Sequence, residues 1–208
     1  MQLHGFDLFL TRIQTDIYHQ DPETTWLGKE DMLLLNRLGN KDLQKKFVLE
    51  QAFRRAVLAG VTGLRPESLI FERNSAGKPF LINYPGMYFS LSKSAGRVVM
   101  AVGRQPVGVD IEVLTGRLPD RNMVAYLNRN RDASLDPLPE DIDEFSFKRW
   151  WAQNEAVQKL RGVTMDDFGW VVPVGVKERS RFLREQQVDL AEIPVEGYAG
   201  WMAFERHR

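Results

Sequence analysis

Cysteine is absent from this 208-residue chain, which excludes disulfide frameworks, thiolate zinc sites and a cysteine nucleophile together. An excess of either charge is absent too, with 28 Lys and Arg against 28 Asp and Glu. Composition therefore offers neither the basic surface of a general nucleic-acid binder nor a polybasic membrane anchor. No uninterrupted apolar run reaches the roughly 18 residues of a membrane span, and Met1-Gln2-Leu3-His4-Gly5 has no basic segment leading into an apolar one. The expectation is a cytoplasmic monomer without membrane or nucleic-acid partners. Histidine is scarce: His4, His19 and His207 sit near the two ends, so a histidine-rich metal site or a serine-histidine triad would require the termini to converge. Any chemistry falls to oxygen, nitrogen or a metal. At 43% hydrophobic and 27% charged, the chain has the composition of an ordinary globular protein of one large or two small domains.

Lys41 to Ala59 carries apolar residues at helical spacing and is closed by Gly60 and Gly63. Its polar side is basic through Lys41, Lys45, Lys46, Arg54 and Arg55 and reads first as a solvated face. Ser68 to Glu72 reads as a short strand and Asn74 to Gly77 as a turn. Met87 to Leu91 and Val98 to Val102 read as strands separated by a small polar loop. In Val107 to Val113, strand alternation puts Val107, Val109, Ile111 and Val113 on one face and Gly108, Asp110 and Glu112 on the other. A solvated sheet face has the same pattern, but glycine weakens a strand unless something approaches closely.

Leu114 to Asp143 reads as irregular, rich in Pro, Asp, Asn and Arg. Phe145 to Arg161 reads as a helix closed by Gly162, with Phe147, Trp151, Glu155 and Lys159 stacked on one stripe. Glu155 and Lys159 can be an intrahelical ion pair, and Trp150 and Trp151 core packing. Gly169 to Val176 and Gly197 to Phe204 read as strands, and Arg206-His207-Arg208 as a solvated tail.

Asp110, Glu112 and Glu155 together suit a hard ion such as Mg²⁺, which shares its shell with water and substrate phosphate. Lys78, Lys93 and Lys159 supply balancing positive charge. The segment Ser90 to Gly96 offers hydroxyls, backbone N–H groups and a cation for phosphate oxygens.

In this order the segments resemble the phosphopantetheinyl transferase family, of the surfactin-synthetase-activating type, from about Lys46 to Gly162. Gly77-Lys78-Pro79 is similar to its Gly-Lys-Pro turn, and Phe89-Ser90-Leu91-Ser92-Lys93-Ser94 to its Phe-Asn-Ile-Ser-His-Ser loop. Gln105 to Glu112 resembles its metal-binding strand, and Trp151 to Lys159 its Trp-x-x-Lys-Glu-Ala-x-x-Lys helix. The resemblance implies an α/β (α+β) fold of two similar halves, 1–105 and 106–208. Each half is an antiparallel sheet with a long helix, and the active site lies between them. It implies Mg²⁺-dependent transfer of the phosphopantetheine arm of coenzyme A to a serine of an acyl or peptidyl carrier protein. Asp110, Glu112 and Glu155 then hold the metal, and Glu155 and Lys159 are catalytic. Lys46, Lys78, Pro79, Ser92, Lys93 and Lys159 hold coenzyme A. Two positions depart from the pattern. Lys93 stands in place of histidine and keeps a cation with different geometry. Asn154 stands in place of lysine, removes a cation, and is the costlier change. These departures support the alternative of a non-catalytic homologue that binds carrier protein or coenzyme A, in which Asn154→Lys restores activity.

Overall fold

The computed structural model describes residues 1–13, 24–131, 135–163 and 172–206. Among them no helix is long and apolar enough to cross a membrane. His19, His207, Arg208 and residues 169–171 of the strand expected over Gly169 to Val176 lie outside the described residues; the rest of that segment is not strand, since 172–175 are irregular and Val176 begins a helix.

The fold is mixed α+β with antiparallel sheets. Strands β1 (Gln2–Leu3), β2 (Phe6–Arg12), β6 (Arg97–Gly103) and β5 (Tyr88–Ser94) form one sheet in the order β1-β2-β6-β5. Strands β7 (Val107–Val113), β9 (Tyr198–Glu205) and β8 (Val188–Glu192) form a second in the order β7-β9-β8, and β3 (Phe71–Arg73) pairs with β4 (Pro79–Leu81). The helices are α1 (Lys29–Leu35), α2 (Lys41–Thr62), α3 (Arg121–Arg129), α4 (Glu144–Arg161) and α5 (Val176–Glu185).

Strand alternation builds four layers. In β6, Met100 and Val102 join a core with Leu58 of α2, while Val99 and Ala101 turn the other way onto Val107, Val109 and Ile111 of β7. In β9, Met202 and Phe204 share that central core, while Trp201 and Ala203 pack with Ala152, Ala156 and Val157 of α4. The order is therefore α2, first sheet, second sheet, α4.

Both long helices have side-chain caps. The Asn40 side chain accepts from the N–H groups of Asp42 and Leu43 at 2.8 and 3.0 Å, and Asp143 accepts from Ser146 at 2.9 Å. Gly63 and Gly162 end α2 and α4 in left-handed conformation, with φ of 74° and 66°. Gly60, expected to close α2, lies inside it.

The polar loop expected between the strands Met87 to Leu91 and Val98 to Val102 is mostly strand. Strand β5 runs to Ser94, and the reversal is confined to Ala95 and Gly96, both at positive φ. The irregular stretch from Leu114 contains α3, capped by Asp120. The basic side expected of α2 does not form as one exposed surface. Arg54 and Arg55 are buried, paired with Asp31 of α1 at 3.0 and 2.6 Å, and Arg55 also donates to the carbonyls of Pro66 and Leu69. Burial lowers the Arg54 pKa to about 10 against the opposing Asp31 charge. Two guanidinium groups on one buried carboxylate fasten α1 to α2.

Candidate active site

Strand β7 presents Gly108, Asp110 and Glu112 to α4. A Cβ on Gly108 would lie 1.9 Å from the Ala156 carbonyl oxygen and 2.3 Å from the Leu160 nitrogen, so only glycine lets the helix backbone settle onto the strand. That close approach brings the polar stripe of α4 down to the two acids. Asp110 is buried, and its Oδ1 accepts from Lys159 Nζ at 2.6 Å and from Ser92 Oγ at 2.7 Å. Its Oδ2 is buried without a hydrogen-bond partner. Glu112 pairs with Lys148 of α4 at 3.0 Å.

Glu155 completes the acidic group. Burial raises its pKa above the ordinary value; Lys159 opposes the rise, and the Asp110 and Glu112 charges add to it. Two like charges acting on a third mark a place where a cation is stabilised. The bare buried Oδ2 of Asp110 leaves an acceptor free beside that place. Among the described residues no three His, Asp or Glu side chains are grouped closely enough to enclose an ion as they stand. Lys148 and Lys159 balance Glu112 and Asp110 instead. The donors are all hard oxygens, the set that fits Mg²⁺.

Beside Lys159 opens a cavity of about 290 Å³, lined among others by Glu50, Arg54, Lys78, Pro79, Phe89 and Lys93. Lys78, Pro79, Lys93 and Lys159 thus meet around one space, while Ser92 and Lys46 are not part of its lining. The Ser92 hydroxyl turns instead to β7, where it meets Asp110 and the Ile111 N–H. Lys46 is exposed on α2, one turn before Glu50. Lys93 reaches α2 and pairs with Glu50. Glu50 is a charge partner that sequence reasoning missed; its position four residues from both Lys46 and Arg54 was the available signal.

Lys78 is turned inward. Its Nζ donates to the carbonyls of Val107, at 3.0 Å, and Lys159, at 2.5 Å, and burial lowers its pKa to about 8. The adjoining Asn74 Nδ2 donates to the Gly162 carbonyl at 2.9 Å, so the Asn74 to Pro79 turn is fastened to the end of α4.

No family profile matches the chain. Among curated proteins it is 28% identical over 142 residues to the 4′-phosphopantetheinyl transferase HetI of Nostoc sp. (strain PCC 7120), covering 65% of this chain and 60% of that protein. It is 32% identical over 120 residues to the 4′-phosphopantetheinyl transferase psf-1 of Bacillus pumilus, covering 57% and 50%. A 4′-phosphopantetheinyl transferase of Bacillus subtilis is 32% identical over 128 residues, covering 61% and 56%. The chain is thus similar, over some three-fifths of its length, to several proteins named 4′-phosphopantetheinyl transferase. It spans between half and about three-fifths of the length of these curated relatives.

The departure at Asn154 from the resembled helix pattern has a physical account. Asn154 is fully buried on a face of α4 that packs inward. Its Nδ2 donates to the Trp150 carbonyl at 3.0 Å, and its Oδ1 accepts from Val172 N–H at 2.8 Å. Trp150 Nε1 donates to the Val172 carbonyl at 2.8 Å. The backbone of Val172 is thus held through both of its polar groups by α4. A lysine at position 154 would bury an ammonium and leave the Val172 N–H without this acceptor.

Proposed function

We propose that this protein transfers the 4′-phosphopantetheine arm of coenzyme A to a serine hydroxyl of an acyl or peptidyl carrier protein. The observation that carries the proposal is Asp110: a buried carboxylate with one oxygen engaged by Ser92 and by Lys159, which also lines the cavity with Lys78 and Lys93, and with its other oxygen bare. In this reaction the serine oxygen attacks the β-phosphorus of the coenzyme A pyrophosphate. The bond from that phosphorus to the bridging oxygen breaks, and adenosine 3′,5′-bisphosphate leaves with the electron pair. Glu155 accepts the serine proton, a role suited to a carboxylate whose pKa burial raises above its ordinary value. Lys159 places an ammonium beside the leaving phosphate oxygens. Asp110, Glu112 and Glu155 would hold Mg²⁺, which when bound neutralises charge on the pyrophosphate. Lys93 and Pro79 line the space for coenzyme A. In the same proposal the chain divides into two halves near Gln105, with the site between them.

A second reading, coenzyme A or carrier binding without turnover, draws on the Glu50 carboxylate, which neutralises Lys93 at the cavity. Intact mass spectrometry of several apo carrier proteins incubated with this protein, coenzyme A and Mg²⁺ separates the two. A gain of one phosphopantetheine, absent with Asp110→Ala, is the expected outcome. Coenzyme A binding with no gain on any carrier would leave the second reading standing.

A further inference from the structure

The two sheets meet along β5 and β7 without a backbone ladder. Three hydroxyls from one face of β5 replace it: Ser90 accepts from Val109 N–H at 3.0 Å, Ser92 from Ile111 N–H at 3.3 Å, and Ser94 from Val113 N–H at 3.1 Å. Every second residue of β5 thus satisfies every second amide on the free edge of β7, an edge that would otherwise be buried with unpaired donors.

Ser92 differs from its two neighbours in what it does with its own proton. A hydroxyl has one proton to donate. With its oxygen turned to Ile111, that proton goes to Asp110 Oδ1 at 2.7 Å, the same oxygen that Lys159 reaches from α4 at 2.6 Å. Donors from two sides of one oxygen hold the carboxylate in a single rotamer, and the other oxygen remains bare. Ser92 is itself buried and lies outside the lining of the cavity.

We propose that Ser92 is a positioning residue for Asp110, orienting the carboxylate toward a divalent cation, rather than a contact to coenzyme A. This rests on the assignment of Asp110 as a metal ligand made above. Ser94 provides the internal comparison, because it makes the same bond to the β7 edge and touches no carboxylate.

The test is direct binding of Mn²⁺ alone, followed by loss of the free-ion electron paramagnetic resonance signal, on wild type, Ser92→Ala, Ser92→Thr, Ser94→Ala and Asp110→Ala. Removing a partner that orients a metal ligand typically weakens metal affinity on the order of tenfold or more. Ser92→Ala is expected to show that loss, Ser92→Thr to regain most of it, and Ser94→Ala to bind as wild type does. Equal Mn²⁺ affinity in Ser92→Ala and Ser94→Ala, whether reduced or not, overturns the inference while sparing the metal assignment. Wild type that binds Mn²⁺ no better than Asp110→Ala overturns the metal assignment and the inference with it. If Ser92→Ala does not fold, Ser92→Cys, similar in size but a weak donor, is read by the same criteria.

Discussion

Burial withholds from Glu155 the water a carboxylate needs, and Asp110 and Glu112 add like charge that Lys159 only partly offsets. A carboxyl whose pKa is raised on folding stabilises the protein below its unfolded value near 4.5 and loses that contribution as pH rises through the folded value. At neutral pH the charged form is therefore a net cost to folding, as expected of a group kept for chemistry. Glu155→Gln keeps the shape and removes the charge. It is expected to raise the midpoint of thermal unfolding at pH 7 while abolishing transfer. The difference from wild type should close as pH falls below about 4.5. Thermal melts of both proteins between pH 4 and 8 check this, and a constant difference would place its origin in packing rather than charge.

The strand β7 was legible because its chemistry is local. Alternation alone separates Gly108, Asp110 and Glu112 from Val107, Val109 and Ile111, and a glycine in that setting announces a close neighbour. The polar stripe of α4 and the stop at Gly162 follow from a 3.6-residue period. Other elements were hidden because their signals are not local. The burial of Arg54 and Arg55 depends on Asp31, which nothing within α2 indicates. The extension of β5 through Ser92 and Ser94 depends on amides of β7 that need those hydroxyls. Strands β2 and β8 acquire meaning only through their pairing with β6 and β9. Gly108→Ala tests the element contact itself. Its Cβ would collide with the backbone of α4, which cannot rotate away as a side chain can, so a destabilisation of about 3 kcal/mol is expected in urea unfolding. Gly60→Ala, in the interior of α2 with open space around its Cβ, is expected to stabilise by roughly 0.5–1 kcal/mol. Opposite signs at two glycines would show that the contact with α4, not strand or helix preference, dominates at Gly108.

At the scale of the whole molecule, the layers are held together by few polar ties, and Lys78 is one that reaches across them. From the turn before β4 its ammonium meets the carbonyl of Val107, which begins β7, and that of Lys159 in the last turn of α4. The negative end of the helix and a second carbonyl favour the charge, yet burial outweighs them and lowers the pKa from 10.5 to about 8. Below pH 8 both folded and unfolded chains carry the proton, and the folded chain bears the full cost of burying it. Between about 8 and 10.5 the folded chain releases the proton while the unfolded chain retains it, so stability from this group rises with pH, by roughly 2–3 kcal/mol across the window. Most ties of this kind behave oppositely, because an ammonium gaining a carboxylate partner loses stability as it deprotonates. Urea unfolding of wild type and Lys78→Met at pH 7.5, 9 and 10.5 isolates the effect, since other titrating groups are shared by the two proteins. The free-energy difference between them is expected to shift toward wild type as pH rises. A difference independent of pH would mean that the two carbonyls fully replace the water Lys78 loses, leaving its ammonium charged throughout.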